Sequence, residues 1–200
     1  DIYDPENGDY PKIKGDEARF VVFNDLGNGR SVSTTNKPIG VEVHMMTFLF
    51  YTAPIKTGLE TTLFHDLKVI KKTEGDVKDF IFGLYVDSDI GNFNDDYVGC
   101  DTPNNLGYSY NADNFDENNA AKDGYLDNPP VLFTKFLNRK METFSYFINS
   151  NTSPLKDPNT AEEYRNVMEG NLRNGDPYTV SADAISSGSP TTKFCYYGNP

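Results

Sequence analysis

The chain has 200 residues and a formal net charge of −12, from 30 Asp and Glu residues against 18 Lys and Arg residues. Nucleic acids and anionic membrane surfaces are bound through clustered positive charge, so this balance argues against both as partners. No apolar run reaches the roughly 18 residues of a membrane-spanning helix, and we expect no membrane insertion. The 14 Phe and 13 Tyr residues supply the large apolar areas from which a core is built.

Short runs of strand-forming residues, separated by turn residues, dominate the first part of the chain. The run 18–24 reads Ala-Arg-Phe-Val-Val-Phe-Asn and ends at a cluster of turn residues. The run 39–52 has apolar residues on both faces, which is typical of a strand buried on two sides. Further strands are predicted at 63–72, 80–86, 131–137 and 141–149. Short turns between successive strands favour antiparallel pairing, so we expect an all-β fold, an antiparallel β-sandwich of the jelly-roll or Ig-like kind.

One helix and one long loop interrupt the strands. Apolar residues recur at helical spacing near 160–173, and Thr160 can cap the first turn of that helix. Residues 87–128 are rich in Asp, Asn, Gly and Tyr, which predicts a long irregular, ion-stapled loop. We find no linker and expect residues 1–200 to form a single β-sandwich domain. The chain opens without an initiator Met, so we expect it to be a fragment of a larger exported protein.

The only two cysteines are Cys100 and Cys195. They can form one disulfide that closes a long loop, or remain as two buried thiols, and the sequence leaves both possibilities open. A zinc site requires Cys and His ligands at short spacing, which the chain does not have.

The densest acidic segment is 87–101, which reads Asp-Ser-Asp-Ile-Gly-Asn-Phe-Asn-Asp-Asp-Tyr-Val-Gly-Cys-Asp. Calcium takes six to eight oxygen ligands from carboxylates, amides and backbone carbonyls, and Gly91 permits the tight turn that such a loop needs. The spacing is not that of an EF-hand. Apolar residues between the carboxylates argue against a plain solvated loop. We therefore predict a Ca²⁺ site, with these candidate ligands: Asp87, Asp89, Asn92, Asn94, Asp95, Asp96 and Asp101.

The same segment carries a resemblance to a known module. Its D-x-D-x-G and N-D-D-Y-x-G-C-D blocks, continued by Asn-Leu-Gly-Tyr-Ser-Tyr-Asn at 105–111, resemble a module of large exported proteins of Bacteroidota and related bacteria. Many of these proteins carry a type IX secretion sorting domain. Shorter matches lie at 8–16, 129–130, 161–164, 175–179 and 197–200. The resemblance implies a secreted or cell-surface location and a β-sandwich-like fold, but no activity.

Catalytic patterns are sparse. His44 and His65 are the only histidines, and each is better explained as a packed or surface residue than as a general base. The chain has neither a Gly-x-Ser-x-Gly elbow nor a His-Glu-x-x-His motif. A hydrolase is therefore our third hypothesis for function, and we expect no enzyme.

Two non-enzymatic functions remain. The first is a calcium-stabilised structural or adhesive module, whose partners are neighbouring domains or subunits of an extracellular assembly. The second is a carbohydrate-binding module, because exposed aromatic rings stack on surface glycans. The candidate rings are Tyr97, Tyr108, Tyr110 and Tyr125. An aromatic platform beside the metal would favour the second function.

Overall fold

The computed structural model describes residues 4–10, 12–27, 38–51, 58–120, 122–149 and 153–196. The chain divides into two compact units, residues 1–78 and residues 79–200. It is mostly β with antiparallel sheets, as the sequence predicts. The prediction of a single domain over residues 1–200 stays a prediction.

The first unit is a three-stranded antiparallel sheet in the order β1-β2-β3. Its strands are β1 (Glu17–Asn24), β2 (Val41–Leu49) and β3 (Phe64–Lys71), and they confirm the strands predicted at 18–24, 39–52 and 63–72. The central strand β2 contributes the buried side chains of Val43 and Met46. Both histidines lie on this sheet and are hydrogen-bonded, His44 to Glu42 at 3.0 Å and His65 to the Thr47 hydroxyl at 2.8 Å.

The described residues of the second unit form three small antiparallel sheets. Its strands are β4 (Asp96–Asp101), β5 (Leu106–Asn111), β6 (Phe115–Asp116), β7 (Leu126–Asp127), β8 (Leu132–Lys135), β9 (Tyr178–Thr179) and β10 (Thr191–Thr192). The sheets have the strand orders β4-β5-β8, β6-β7 and β10-β9. Strand β8 confirms the strand predicted at 131–137.

Three of the sequence predictions for this unit are wrong. Residues 87–128 are not one irregular loop, because they contain the hairpin β4–β5, in which Asp96 lies opposite Asn111 and Asp101 opposite Leu106. Residues 80–86 form no strand, and their larger side chains are about half exposed. In 141–149 only two isolated bridges form, at Phe144 and Ile148. In both segments apolar residues are present, but a continuous partner strand is not.

One α-helix forms among the described residues, and it confirms the helix predicted near 160–173. Helix α1 (Ala161–Met168) begins with a capping box, in which the Glu163 amide donates to the Thr160 hydroxyl and the Glu163 carboxylate accepts from the Thr160 amide. It ends before Gly170, whose φ of +79° is left-handed, so the helix is shorter than predicted. No helix in the described part of the chain has the length and apolar character needed to cross a membrane.

The core of the second unit lies around Tyr178, whose side chain is almost fully buried. Leu155, Leu172, Ala184 and Cys195 pack in the same cluster. Burial raises the pKa of the Tyr178 hydroxyl to about 12. The ring therefore stays neutral, as a phenol in an apolar core must.

Candidate functional site

The acidic segment 87–101 contains a short 3-10 helix, Phe93–Asp95, directly before the β4–β5 hairpin. Asn92 caps this helix, because its side-chain oxygen accepts from the Asn94 amide at 3.3 Å. Strand β4 then begins at Asp96. The local sequence thus places Asp95 and Asp96 side by side at the start of β4.

Three buried oxygens at this end of the hairpin have no hydrogen-bond partner among the described residues: Asp95 Oδ1, Asp96 Oδ1 and Asn111 Oδ1. Asp96 and Asn111 are directly opposite each other, so their side chains share one face of the sheet. The Ala112 amide donates to the Asp95 carbonyl at 3.0 Å, which places Asp95 beside the same strand end. A buried acceptor without a donor costs about 1–3 kcal/mol, and a hydrogen bond from water or a bound cation would remove that cost.

Asp96 is the most constrained of these carboxylates. Burial raises its pKa, and the negative charges of Asp95, Asp116 and Asp89 raise it further. The Ile90 amide opposes this shift by donating to Asp96 Oδ2 at 2.7 Å. Asp96 Oδ2 therefore holds the backbone before β4, while Asp96 Oδ1 is buried with no donor from the part of the chain that the structure describes.

Asp116 is the fully buried carboxylate of this region, with 0% of its surface exposed. It accepts from the Asn92 amide at 3.1 Å and from the Tyr125 amide at 2.6 Å. It thereby joins the acidic segment to the residues before β7. Gly91, with a φ of +62°, lies against this carboxylate, and a Cβ atom there would overlap Asp116 Oδ2. Only glycine permits both that backbone conformation and that approach.

Of the predicted ligands, the structure brings Asp95 and Asp96 together with Asn111. Asn92 is buried beside them, but its side-chain oxygen already accepts from the side-chain amide groups of Asn94 and Asn119. Asn94 is exposed on the 3-10 helix.

The other three predicted ligands contribute none of the unpaired oxygens. Asp101 is at the opposite end of β4, where it accepts from the Asn104 amide at 3.1 Å and from its side chain at 2.7 Å. Asp89 is half exposed, with Lys122 Nζ at 4.0 Å. Asp87 is exposed, and its charge helps to raise the pKa of Tyr85, after burial of the ring.

No three His, Cys, Asp or Glu side chains within the described ranges lie close enough together to hold a metal ion by themselves. A cation at the start of β4 would therefore use the Asn111 amide oxygen and backbone carbonyls as well as carboxylates. Such mixed oxygen ligands suit calcium. Neither Asn111 nor Asp116 is among the ligands predicted from the sequence.

The opposite face of the β4-β5-β8 sheet carries a row of aromatic rings. Tyr97 pairs with Tyr110 at a centroid distance of 5.9 Å, Tyr110 with Tyr108 at 5.8 Å, and Tyr108 with Phe133 at 6.4 Å. The two outer rings are the most exposed, Tyr97 by 56% and Phe133 by 61%. We call these four residues the aromatic face. Tyr125, also predicted from the sequence to contact sugars, lies instead beside Gly91.

No protein-family model, curated protein or solved structure matches this chain. The resemblance to an exported bacterial module stays a prediction.

Proposed function

We propose that the chain is a calcium-stabilised structural or adhesive module of a secreted or cell-surface bacterial protein. The observation that carries the proposal is the group of three buried, unpaired oxygens of Asp95, Asp96 and Asn111. Without a cation these oxygens and the neighbouring charge of Asp116 destabilise the folded hairpin. With calcium they become ligands, and binding is coupled to folding.

The proposed ligands are the two carboxylates at the start of β4 and the amide oxygen of Asn111, completed by backbone carbonyls and water. Calcium supplies no chemistry beyond positive charge and oxygen coordination. Its effect is to hold the segment before β4 against strand β5, so the ion stabilises one conformation of the hairpin.

The finer fold that we propose is an antiparallel β-sandwich of the jelly-roll or Ig-like kind. It is supported by the β4-β5-β8 sheet, in which the side chains of β5 alternate between buried and partly buried positions. Each sheet of a sandwich has this arrangement. Export, through type IX secretion, is supported by the resemblance of 87–111 to exported modules. The proposed partners are neighbouring domains or subunits of an extracellular assembly.

Thermal unfolding in calcium, in magnesium and in EDTA tests the cation site. We expect calcium at about one hundred times its dissociation constant to stabilise the chain by about 2.7 kcal/mol, which raises the unfolding temperature by roughly 5–10 °C. Magnesium at equal concentration should do less, because it requires stricter octahedral geometry and keeps its water ligands. Equal unfolding temperatures in calcium and EDTA would remove the cation from the proposal.

A carbohydrate-binding module is the second candidate, and the aromatic face favours it. Four adjacent rings on a sheet face form a shallow surface, and aromatic rings stack on the apolar faces of sugars. The net charge of −12 favours neutral over anionic glycans. The same hairpin therefore presents the proposed cation ligands on one side and the rings on the other.

Affinity electrophoresis through gels containing a neutral β-glucan, a neutral xylan or alginate tests this second candidate. We expect retardation by at least one neutral polysaccharide, and a weakening of about tenfold for each of Tyr97→Ala and Phe133→Ala. Tyr10→Ala is the matched control, because Tyr10 is exposed but belongs to the first unit. Unretarded wild-type protein, or equal weakening in the control, would contradict carbohydrate binding by this face.

A further inference from the structure

Two buried cysteines of the second unit are in contact with each other. Cys100 is on the buried face of β4 and is 2% exposed, and Cys195 follows β10 and is 0% exposed. Cys100 Sγ lies 3.5 Å from the Cys195 carbonyl oxygen, to which its thiol donates. The two cysteines are 95 positions apart in the chain, so the fold alone brings them together.

The segment around Cys195 is held in register by backbone hydrogen bonds. The Cys195 amide donates to the Phe144 carbonyl at 2.8 Å, and the Phe144 amide donates to the Lys193 carbonyl at 3.1 Å. Phe144 in turn packs against Gly107 of β5, opposite Cys100 in the hairpin. Cys195 therefore has a fixed position behind the β4–β5 hairpin, so its contact with Cys100 is built into the core.

We propose that Cys100 and Cys195 form one intramolecular disulfide when the chain folds in the presence of a disulfide oxidant. The oxidant is a small-molecule disulfide such as oxidised glutathione, or an oxidoreductase that carries a disulfide. The inference does not depend on the cation site, and it uses the proposed export only as the route to an oxidising environment.

The reaction is two successive thiol–disulfide exchanges. One protein thiolate attacks a sulfur of oxidised glutathione, forms a mixed disulfide and releases one glutathione thiolate. The second protein thiolate attacks the protein sulfur of that mixed disulfide and releases the second glutathione. The protein loses two protons and two electrons, and the two electrons reduce one glutathione disulfide to two thiols.

Burial determines when this reaction takes place. With both thiols enclosed in the core, neither glutathione nor an oxidoreductase reaches them in the folded chain. The two thiol–disulfide exchanges must therefore occur during folding, before the segment that follows β10 packs against β4. A chain folded without oxidant is expected to keep two unreactive thiols, and an oxidised chain to resist reductants until it unfolds.

Refolding of the denatured, reduced chain tests the proposal, with EDTA present throughout. One portion is refolded with reduced and oxidised glutathione and the other with dithiothreitol. We expect the oxidised portion to be a monomer whose mass is lower by two hydrogen atoms and whose peptide map joins Cys100 to Cys195. Its unfolding temperature should exceed that of the reduced portion by about 10 °C, because the bond closes a long loop.

The Cys195→Ser variant, refolded in the same way, is the control. It should show no loss of two hydrogen atoms and no rise in unfolding temperature with oxidant. If it does not fold, Cys195→Ala replaces it, and the comparison of oxidised with reduced wild-type protein stands without either variant. Two free thiols in the folded oxidised portion, stable glutathione adducts or disulfide-linked dimers would overturn the proposal. Because calcium is absent, these results are separate from those for the cation site.

Discussion

The Asp96→Asn variant is expected to be at least as stable as wild type in EDTA, but less stable than wild type in calcium. In EDTA the variant should unfold at the same temperature as wild type or higher, because it removes a charge that burial and three neighbouring carboxylates disfavour. Asparagine can still accept the hydrogen bond from the Ile90 amide. In saturating calcium, wild type should be the more stable by about 2–3 kcal/mol, because the variant has lost a charged ligand.

Denaturant unfolding of wild type and Asp96→Asn in both conditions measures this reversal. Asp89→Asn is the matched control, because Asp89 is a candidate ligand in the same segment but is half exposed beside Lys122. It should leave the calcium response nearly unchanged. If Asp89→Asn abolishes the response and Asp96→Asn preserves it, the ligands lie before Gly91 and not at the start of β4.

Replacing Gly91 with alanine is expected to destabilise the second unit by about 3–5 kcal/mol. The left-handed backbone costs alanine about 1 kcal/mol. The added Cβ atom also displaces the Asp116 carboxylate, which accepts from the amides of Asn92 and Tyr125. Each hydrogen bond to a charged group contributes about 1.5–3 kcal/mol, so the loss of one or both makes up the rest.

The Gly188→Ala variant separates the cost of the left-handed backbone from the cost of displacing the Asp116 carboxylate. Gly188 also has a left-handed φ, +87°, but a Cβ atom there meets no other atom within 4 Å. Its cost should therefore be near 1 kcal/mol, as measured by denaturant unfolding under identical conditions. Equal costs at the two glycines would mean that Asp116 moves aside without loss, and that its buried hydrogen bonds do not hold the acidic segment.

The sequence predicts the elements whose signal is local. Strands β1, β2 and β3 have apolar residues at strand spacing between turn residues, and α1 has a capping box at its start. The hairpin β4–β5 was missed because Asp, Asn and Gly dominate its ends and resemble a loop. Its central residues nevertheless alternate, with Gly107, Ser109 and Asn111 buried and the tyrosines between them less buried.

The candidate site was predictable only in part, for the same reason. Asp95 and Asp96 are adjacent to the apolar end of a strand, which is a local signal. Asn111 joins them through strand pairing, and Asp116 through hydrogen bonds to positions 24 residues before it and nine after it. Such pairings depend on register, which a single sequence does not specify. The sequence places all the predicted acidic ligands in one segment, whereas the fold separates Asp101 from Asp96 by the length of β4.

The alternating direction of successive side chains along β4 would couple ion binding on one face of the strand to ligand binding on the other. Asp96 and Tyr97 are successive residues whose side chains point to opposite sides of one backbone. An ion that immobilises Asp96 would also fix the peptide from which the Tyr97 ring projects, without touching anything bound to the ring. By thermodynamic reciprocity, a ligand that prefers the ordered ring would tighten calcium binding by the same factor. In the proposed module, calcium would therefore strengthen binding by the aromatic face, and removal of calcium would weaken it.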